Sequence, residues 1–234
     1  MKKIIFWLDN NLMNFCIAKM IQEENNCEIN AIVDVTDKPK KFFLNQKLLN
    51  FKNLWFYHDN LKNLNDNPDI EFLKLKEKEY GFNLLTLTYN DRILYNFNEF
   101  FEFSTNHVFR LLELEIKFFE QILDKSNPDY VIMDPAFLRP SLLFSLICRK
   151  RKIKILMIIP TRLFNKCIIS DDWNNLGYDK AVNNKSEAKN FHDNEEIKNN
   201  EQKIEKYSYK KQLTQLNNEF LQSKKSMINA ALNF

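Results

Sequence analysis

The residues of this chain with chemistry to offer stand at the ends of apolar runs. Asp9 and Asn10 follow Lys3 to Leu8 (KIIFWL), Asp34 follows Glu28 to Val33, and His58 follows Asn53 to Tyr57. Asp134 follows Tyr130 to Met133, with Arg139 a few residues on, and Arg162 follows Lys154 to Ile159 and the Pro160 that stops it. Carboxylates and imidazoles suit proton transfer and the holding of hydroxyls, while guanidinium forks suit anions. Asp9, Asn10, Arg92, Arg139 and Arg162 are thus the candidate ligand-binding residues, and Asp134 is a candidate for catalysis.

Glu115 is a second catalytic candidate, for a different reason. At about 100 degrees per residue it falls in the middle of an apolar stripe made by Val108, Leu111, Leu112, Phe119 and Ile122. An isolated buried charge costs several kcal/mol, roughly, so the carboxylate must be paired or face a cleft. Two readings stay open: scaffolding, with Arg92 or Arg139 as the partner, or a pocket wall with a raised pKa. Asp91-Arg92 likewise reads either as an anion-holding fork or as a surface turn. His58 and His107 read as exposed or satisfied at a core margin, and His192 as solvent-facing.

Other chemistries are excluded by what is missing. Gly81 and Gly177 are the only glycines, so neither GxGxxG nor a P-loop can be written, and no cofactor is expected. Cys16, Cys27, Cys148 and Cys167 form no CxxC pair, and no histidine lies at ligand spacing from them, so no metal is expected. Cys16 and Cys148 sit in apolar helical patterns and read as core residues. No serine or cysteine stands in an elbow-like turn. The 34 basic and 31 acidic residues leave a formal net charge of +3, which gives no field for nucleic acid. The apolar run after Met1-Lys2-Lys3 is too short for a signal peptide, and no segment reaches the roughly 18 apolar residues of an integral membrane segment. A cytoplasmic protein is the expectation.

These side chains need elements to hold them. Residues 3–8, 28–33, 53–57, 84–89, 130–133 and 154–159 read as strands, the fourth as strand or extended segment. Between them the pattern predicts helices over 12–24, 38–50, 69–79 (closed by Gly81), 104–124 (capped by Ser104) and 138–150. Strands alternating with helices predict a Rossmann-like, doubly wound α/β fold with a mainly parallel sheet of about five to six strands. Ligands of such sheets collect beyond the carboxyl ends of the strands, where the polar residues above stand. The expected organisation is an α/β domain over 1–168, a polar linker over 169–200 and a C-terminal helical segment over 201–234.

Several short motifs carry a family likeness. Asn90-Asp91-Arg92, Leu112-Glu113-Leu114-Glu115, Asn127-Pro128-Asp129-Tyr130-Val131-Ile132, Ile153-Lys154-Ile155-Leu156, Pro160-Thr161-Arg162 and Ser186-Glu187-Ala188-Lys189-Asn190-Phe191 resemble the N-terminal half of capsule and surface-polysaccharide biosynthesis proteins of GT-B glycosyltransferase architecture. The resemblance spans residues 3 to 192. It implies an acceptor-side domain facing a second, nucleotide-sugar-binding one, with glycan acceptor or nucleotide-sugar as ligand. A second Rossmann-like domain needs on the order of 100 residues, more than the tail offers. The expectation is therefore a truncated relative whose second domain, if any, comes from a partner protein. The alternative is a binding or assembly module that keeps the fold without catalysis.

Overall fold

The continuous apolar runs become strands covered on both faces. In the computed structural model, β1 (Lys2–Leu8), β2 (Cys27–Val33), β3 (Asn53–Phe56), β4 (Tyr130–Met133) and β5 (Lys154–Pro160) run parallel. β6 (Cys167–Ser170) closes the sheet antiparallel to β5, giving the order β3-β2-β1-β4-β5-β6. The structure describes residues 1–89, 91–95, 101–160 and 167–172, all within the unit Met1–Leu176. Arg162, the linker expected over 169–200 from residue 173 onward, and the helical segment expected over 201–234 lie outside the described residues.

Alternation along the strands builds two cores. On one face Ile5, Trp7, Ile32, Val131, Met133 and Met157 pack against α3 (Ile70–Tyr80), α6 (Thr105–Ser126) and α7 (Arg139–Lys150). On the other, Ile4, Phe6, Leu8, Ala31 and Val33 pack against α1 (Met13–Glu24) and α2 (Asp37–Asn45). Only a sheet clothed by helices on both sides uses near-continuous apolar strands in this way. The fold is a six-stranded, mainly parallel, Rossmann-like α/β domain, and its strand order reverses between β1 and β4.

Aromatic side chains fill the first core. Phe119 of α6 is wholly buried, with its ring centroid 5.0 Å from that of Phe144, 6.0 Å from Trp7 and 6.3 Å from Tyr57. Burying such a ring contributes about 1.5–3 kcal/mol. The stripe expected on α6 is the buried one, including Val108, Leu111, Leu112, Phe118, Phe119, Ile122 and Leu123.

Local polar contacts decide several boundaries that apolar patterning leaves open. The segment 84–89, expected to be extended, is the helix α4 (Leu84–Tyr89), with the one-turn α5 (Arg92–Tyr95) after it. Asn83 accounts for the change, because its Oδ1 accepts from Thr86 N at 2.9 Å and so caps a helical turn. Leu84 and Thr88, four apart, are then the buried positions. α2 ends at Asn45 instead of reaching residue 50, since Gln46 Oε1 accepts from the amides of Leu48 and Leu49 at 2.9 and 3.0 Å and folds the chain into a turn. Cys16, expected in the core, is exposed. α1 turns Asn14, Phe15 and Ala18 inward instead, because Asn14 is drawn in by polar partners at the strand ends.

Ser104 caps α6 reciprocally with His107, whose Nδ1 accepts from Ser104 N at 3.2 Å. At the other end of the pattern, Asp69 caps α3 through Phe72 N at 2.9 Å, and Gly81 ends that helix at φ 74°. A Cβ at Gly81 would meet nothing within 4 Å, so only the left-handed backbone opposes a side chain there. Gly81→Ala is expected to lower stability by roughly 1 kcal/mol without altering the fold, read as a reduced urea midpoint; an unchanged midpoint would contradict this role.

Candidate functional site

Two polar clusters occupy the carboxyl edge of the sheet. The first lies where the strand order reverses. Asp9 follows β1 and Asp134 follows β4, neighbouring strands in register from Ile4 opposite Tyr130 to Phe6 opposite Ile132. Asn14 of α1 ties them together, its Nδ2 donating to Trp7 O and to Asp134 Oδ1, both at 3.2 Å. Burial pushes the Asp134 carboxyl above the usual range and the charge of Asp9 pushes the same way, with Asn14 opposing them. Asn10 beside them is exposed.

Two amides of the turn that leads into α1 already have partners. Asp9 Oδ1 accepts from Asn11 N at 2.7 Å, and Asn11 Oδ1 accepts from Met13 N at 3.2 Å. The Asn11 and Met13 amides are thus occupied, and two carboxylates, Asp9 and Asp134, stand beside them. The turn disfavours a nucleotide phosphate by its hydrogen bonding as well as by its lack of glycine.

The second cluster lies under the first core, beside the end of β3. Glu115 has no exposed surface, and both of its oxygens are bonded: Oε1 accepts from the Tyr57 hydroxyl and Oε2 from Arg139 Nη1. Arg139, at the first position of α7, also donates from Nε to Asp91 Oδ2 at 2.6 Å. Asp91 Oδ1 accepts from Ile93 N at 2.9 Å, which fixes the carboxylate at the start of α5. Burial acts to lower the Arg139 pKa, and the charges of Glu115 and Asp91 outweigh it, so the guanidinium stays protonated. Burial and then the charge of Glu115 raise the Tyr57 phenol well above its ordinary value, keeping it a donor. Burial also lifts the Glu115 carboxyl, while Arg139 and the Tyr57 hydroxyl pull it back.

Above this network a cavity of about 320 Å³ opens at the ends of β2 and β3. Leu61, Leu64, Ile93, Phe103 and Leu111 give it an apolar wall, and Tyr57, Asp91 and Arg139 present their outer sides to it. Asp34 and His58 also line it, with His58 Nε2 standing 3.0 Å from Asp34 Oδ1. Glu115 lies behind the lining and acts on the cavity through Tyr57 and Arg139. The sequence offers Arg139 as one of two partners for Glu115, but it does not place Asp91 with them and does not point to Tyr57 or Asn14. Tyr57 was assigned to a strand, though a tyrosine at a strand's carboxyl end, opposite a buried glutamate, is the signal that finds it. Arg92 opens α5.

Among the described residues no group of three or more His, Cys, Asp and Glu side chains is placed to hold a metal, and no helix is long and apolar enough to cross a membrane. No family model matches the chain, and no curated protein matches it. Among solved structures it is similar to the UDP-GlcNAc 2-epimerase from Methanocaldococcus jannaschii, at 15% identity and a TM-score of 0.31, over 70% of this chain and 33% of that one. The chain thus spans about a third of the length of that enzyme. At that score the likeness carries no weight beside the strand order itself.

A carboxyl whose pKa rises on folding holds its proton more tightly folded than unfolded, so its burial subtracts stability as pH climbs above the ordinary value of 3.8. Asp134→Asn is expected to be more stable than the parent at neutral pH, with the difference fading as pH falls through 3.8, as urea midpoints at the two conditions report. A variant less stable at neutral pH would show that the carboxylate is needed for the fold.

Proposed function

We propose that this chain is an acceptor-side, GT-B glycosyltransferase-like domain of cell-surface polysaccharide synthesis, which takes its ligand at the carboxyl edge of the sheet. The observation that carries the reading is the cavity of about 320 Å³ at the ends of β2 and β3, within the usual volume of a small-molecule site. Apolar walls for a ring face, with polar groups at one end, fit a glycoside better than a free phosphate. The likeness of the Asp91, Glu115 and 127–132 segments to capsule biosynthesis proteins supports the same assignment, since Asp91 and Glu115 both belong to the network that supports this cavity. The carboxylates Asp9 and Asp134 beside α1, with the Asn11 and Met13 amides already bonded, argue that the sugar-nucleotide donor is not bound by this domain. Asp134 is the carboxylate left with the exposure and raised pKa that a proton-transfer role asks for.

One observation favours a second reading, a non-catalytic binding or assembly module acting through a partner protein. Both Glu115 oxygens are consumed by Tyr57 and Arg139, so this candidate is a scaffold and is unavailable to a substrate. A thermal-shift comparison tests the acceptor reading. A ligand at a hundred times its Kd stabilises the native state by about 2.7 kcal/mol. Simple glycosides are expected to raise the melting temperature by a few degrees and nucleotide-sugars to leave it unchanged; a larger rise with a nucleotide-sugar would overturn the assignment.

A further inference from the structure

The cavity's polar lining is unequal in what it has left to give. The Tyr57 hydroxyl is spent on Glu115, Arg139 is flanked by Asp91 and Glu115, and both Asp91 oxygens are bonded. His58 and Asp34 differ, with side chains 44% and 22% exposed. His58 is steadied by the Tyr57 ring, edge-on at 5.0 Å and 73°. Among the described residues only Asp34 faces its imidazole as an ionic partner. The pair therefore retains donor and acceptor capacity at the mouth of an otherwise apolar space.

Charge narrows the ligand further. Arg139 is the single permanent cation in the described lining, set against Asp34 and Asp91 in the wall and Glu115 behind it. With Glu115 ionised these four groups sum to −2, and with Glu115 protonated to −1; a protonated His58 brings the second case only to zero. In no protonation state is there excess positive charge, so a phosphate or carboxylate would enter without a counter-ion and lose its hydration.

Resting on the acceptor reading for the location of the site, we infer that the cavity binds an uncharged alcohol with an apolar body, whose hydroxyl is held by His58 and Asp34. The apolar body lies against Leu61, Leu64, Phe103 and Leu111, and the hydroxyl can donate to one partner and accept from the other. Anionic analogues of the same shape are rejected.

Amide chemical-shift titrations of the ¹⁵N-labelled chain with benzyl alcohol, phenyl β-glucoside and phenyl phosphate test this. Benzyl alcohol is expected to shift resonances around Leu64 and Leu111, phenyl phosphate to bind at least tenfold more weakly, and His58→Ala to weaken the alcohol about fivefold, the loss of one hydrogen bond. Ile93→Trp, at a half-exposed wall position, is expected to abolish the shifts without disturbing the core. Phenyl phosphate binding as well as benzyl alcohol, no binding of the alcohol, or an unaltered affinity in His58→Ala would each overturn the inference. If benzyl alcohol binds and phenyl β-glucoside does not, the inference stands and the glycan reading falls.

Discussion

A guanidinium taken almost wholly out of water at the start of α7 is the constraint on which the edge of this domain depends. The Arg139 side chain is only 4% exposed, and a charge so placed must find its counter-charges within the protein. Glu115 comes from the centre of α6, Asp91 from the start of α5 and Tyr57 from the end of β3. Each bond joins Arg139, directly or through Glu115, to a different element. One buried cation thereby fixes how four segments meet around the cavity.

The two clusters at the sheet edge do different work. At the reversal between β1 and β4, Asn14 bonds Asp134 and Asp9 bonds the Asn11 amide, so two carboxylates stand at the position where many folds of this class receive phosphate. Beside β3, the Glu115 network is buried and satisfied, so it shapes the lining and leaves recognition to what lies above it. The chemistry on offer there is an apolar wall with an imidazole and a carboxylate at one end. That arrangement points away from nucleotide chemistry and towards a neutral, hydroxyl-bearing ligand.

Much of the fold was legible because strands buried on both faces leave uninterrupted apolar runs, and KIIFWL, YVIM and KILMII have few other uses. The α6 stripe was legible for the same reason, and Glu115 within it announced that a buried partner must exist. What the pattern could not choose was that partner: Arg92 and Arg139 are equally plausible along the chain, and only the packing of α7 against α6 brings Arg139 to it. LLTLTY reads as a strand by alternation, yet Asn83 turns it into a helix through one side-chain bond. β6 escaped notice because four residues at a sheet edge carry too little burial to leave a pattern. Asn14 escaped because polar residues on helices are assumed to face solvent. Tyr57 and His58 could be placed at a strand's end, but their joint position over Glu115 and Asp34 depends on contacts between strands and helices far apart in sequence.

A double-mutant cycle on the stability of Glu115→Leu and Arg139→Met measures the central interaction most directly. If the buried pair organises the site, Glu115→Leu leaves Arg139 with Asp91 alone, Arg139→Met strands Glu115 and Asp91 and loses about 3–5 kcal/mol, and the double variant, which strands only Asp91, loses clearly less than the sum of the two. Single losses under about 1 kcal/mol that simply add would mean that Glu115 and Arg139 do not depend on each other, and the account of how this edge is held would fail.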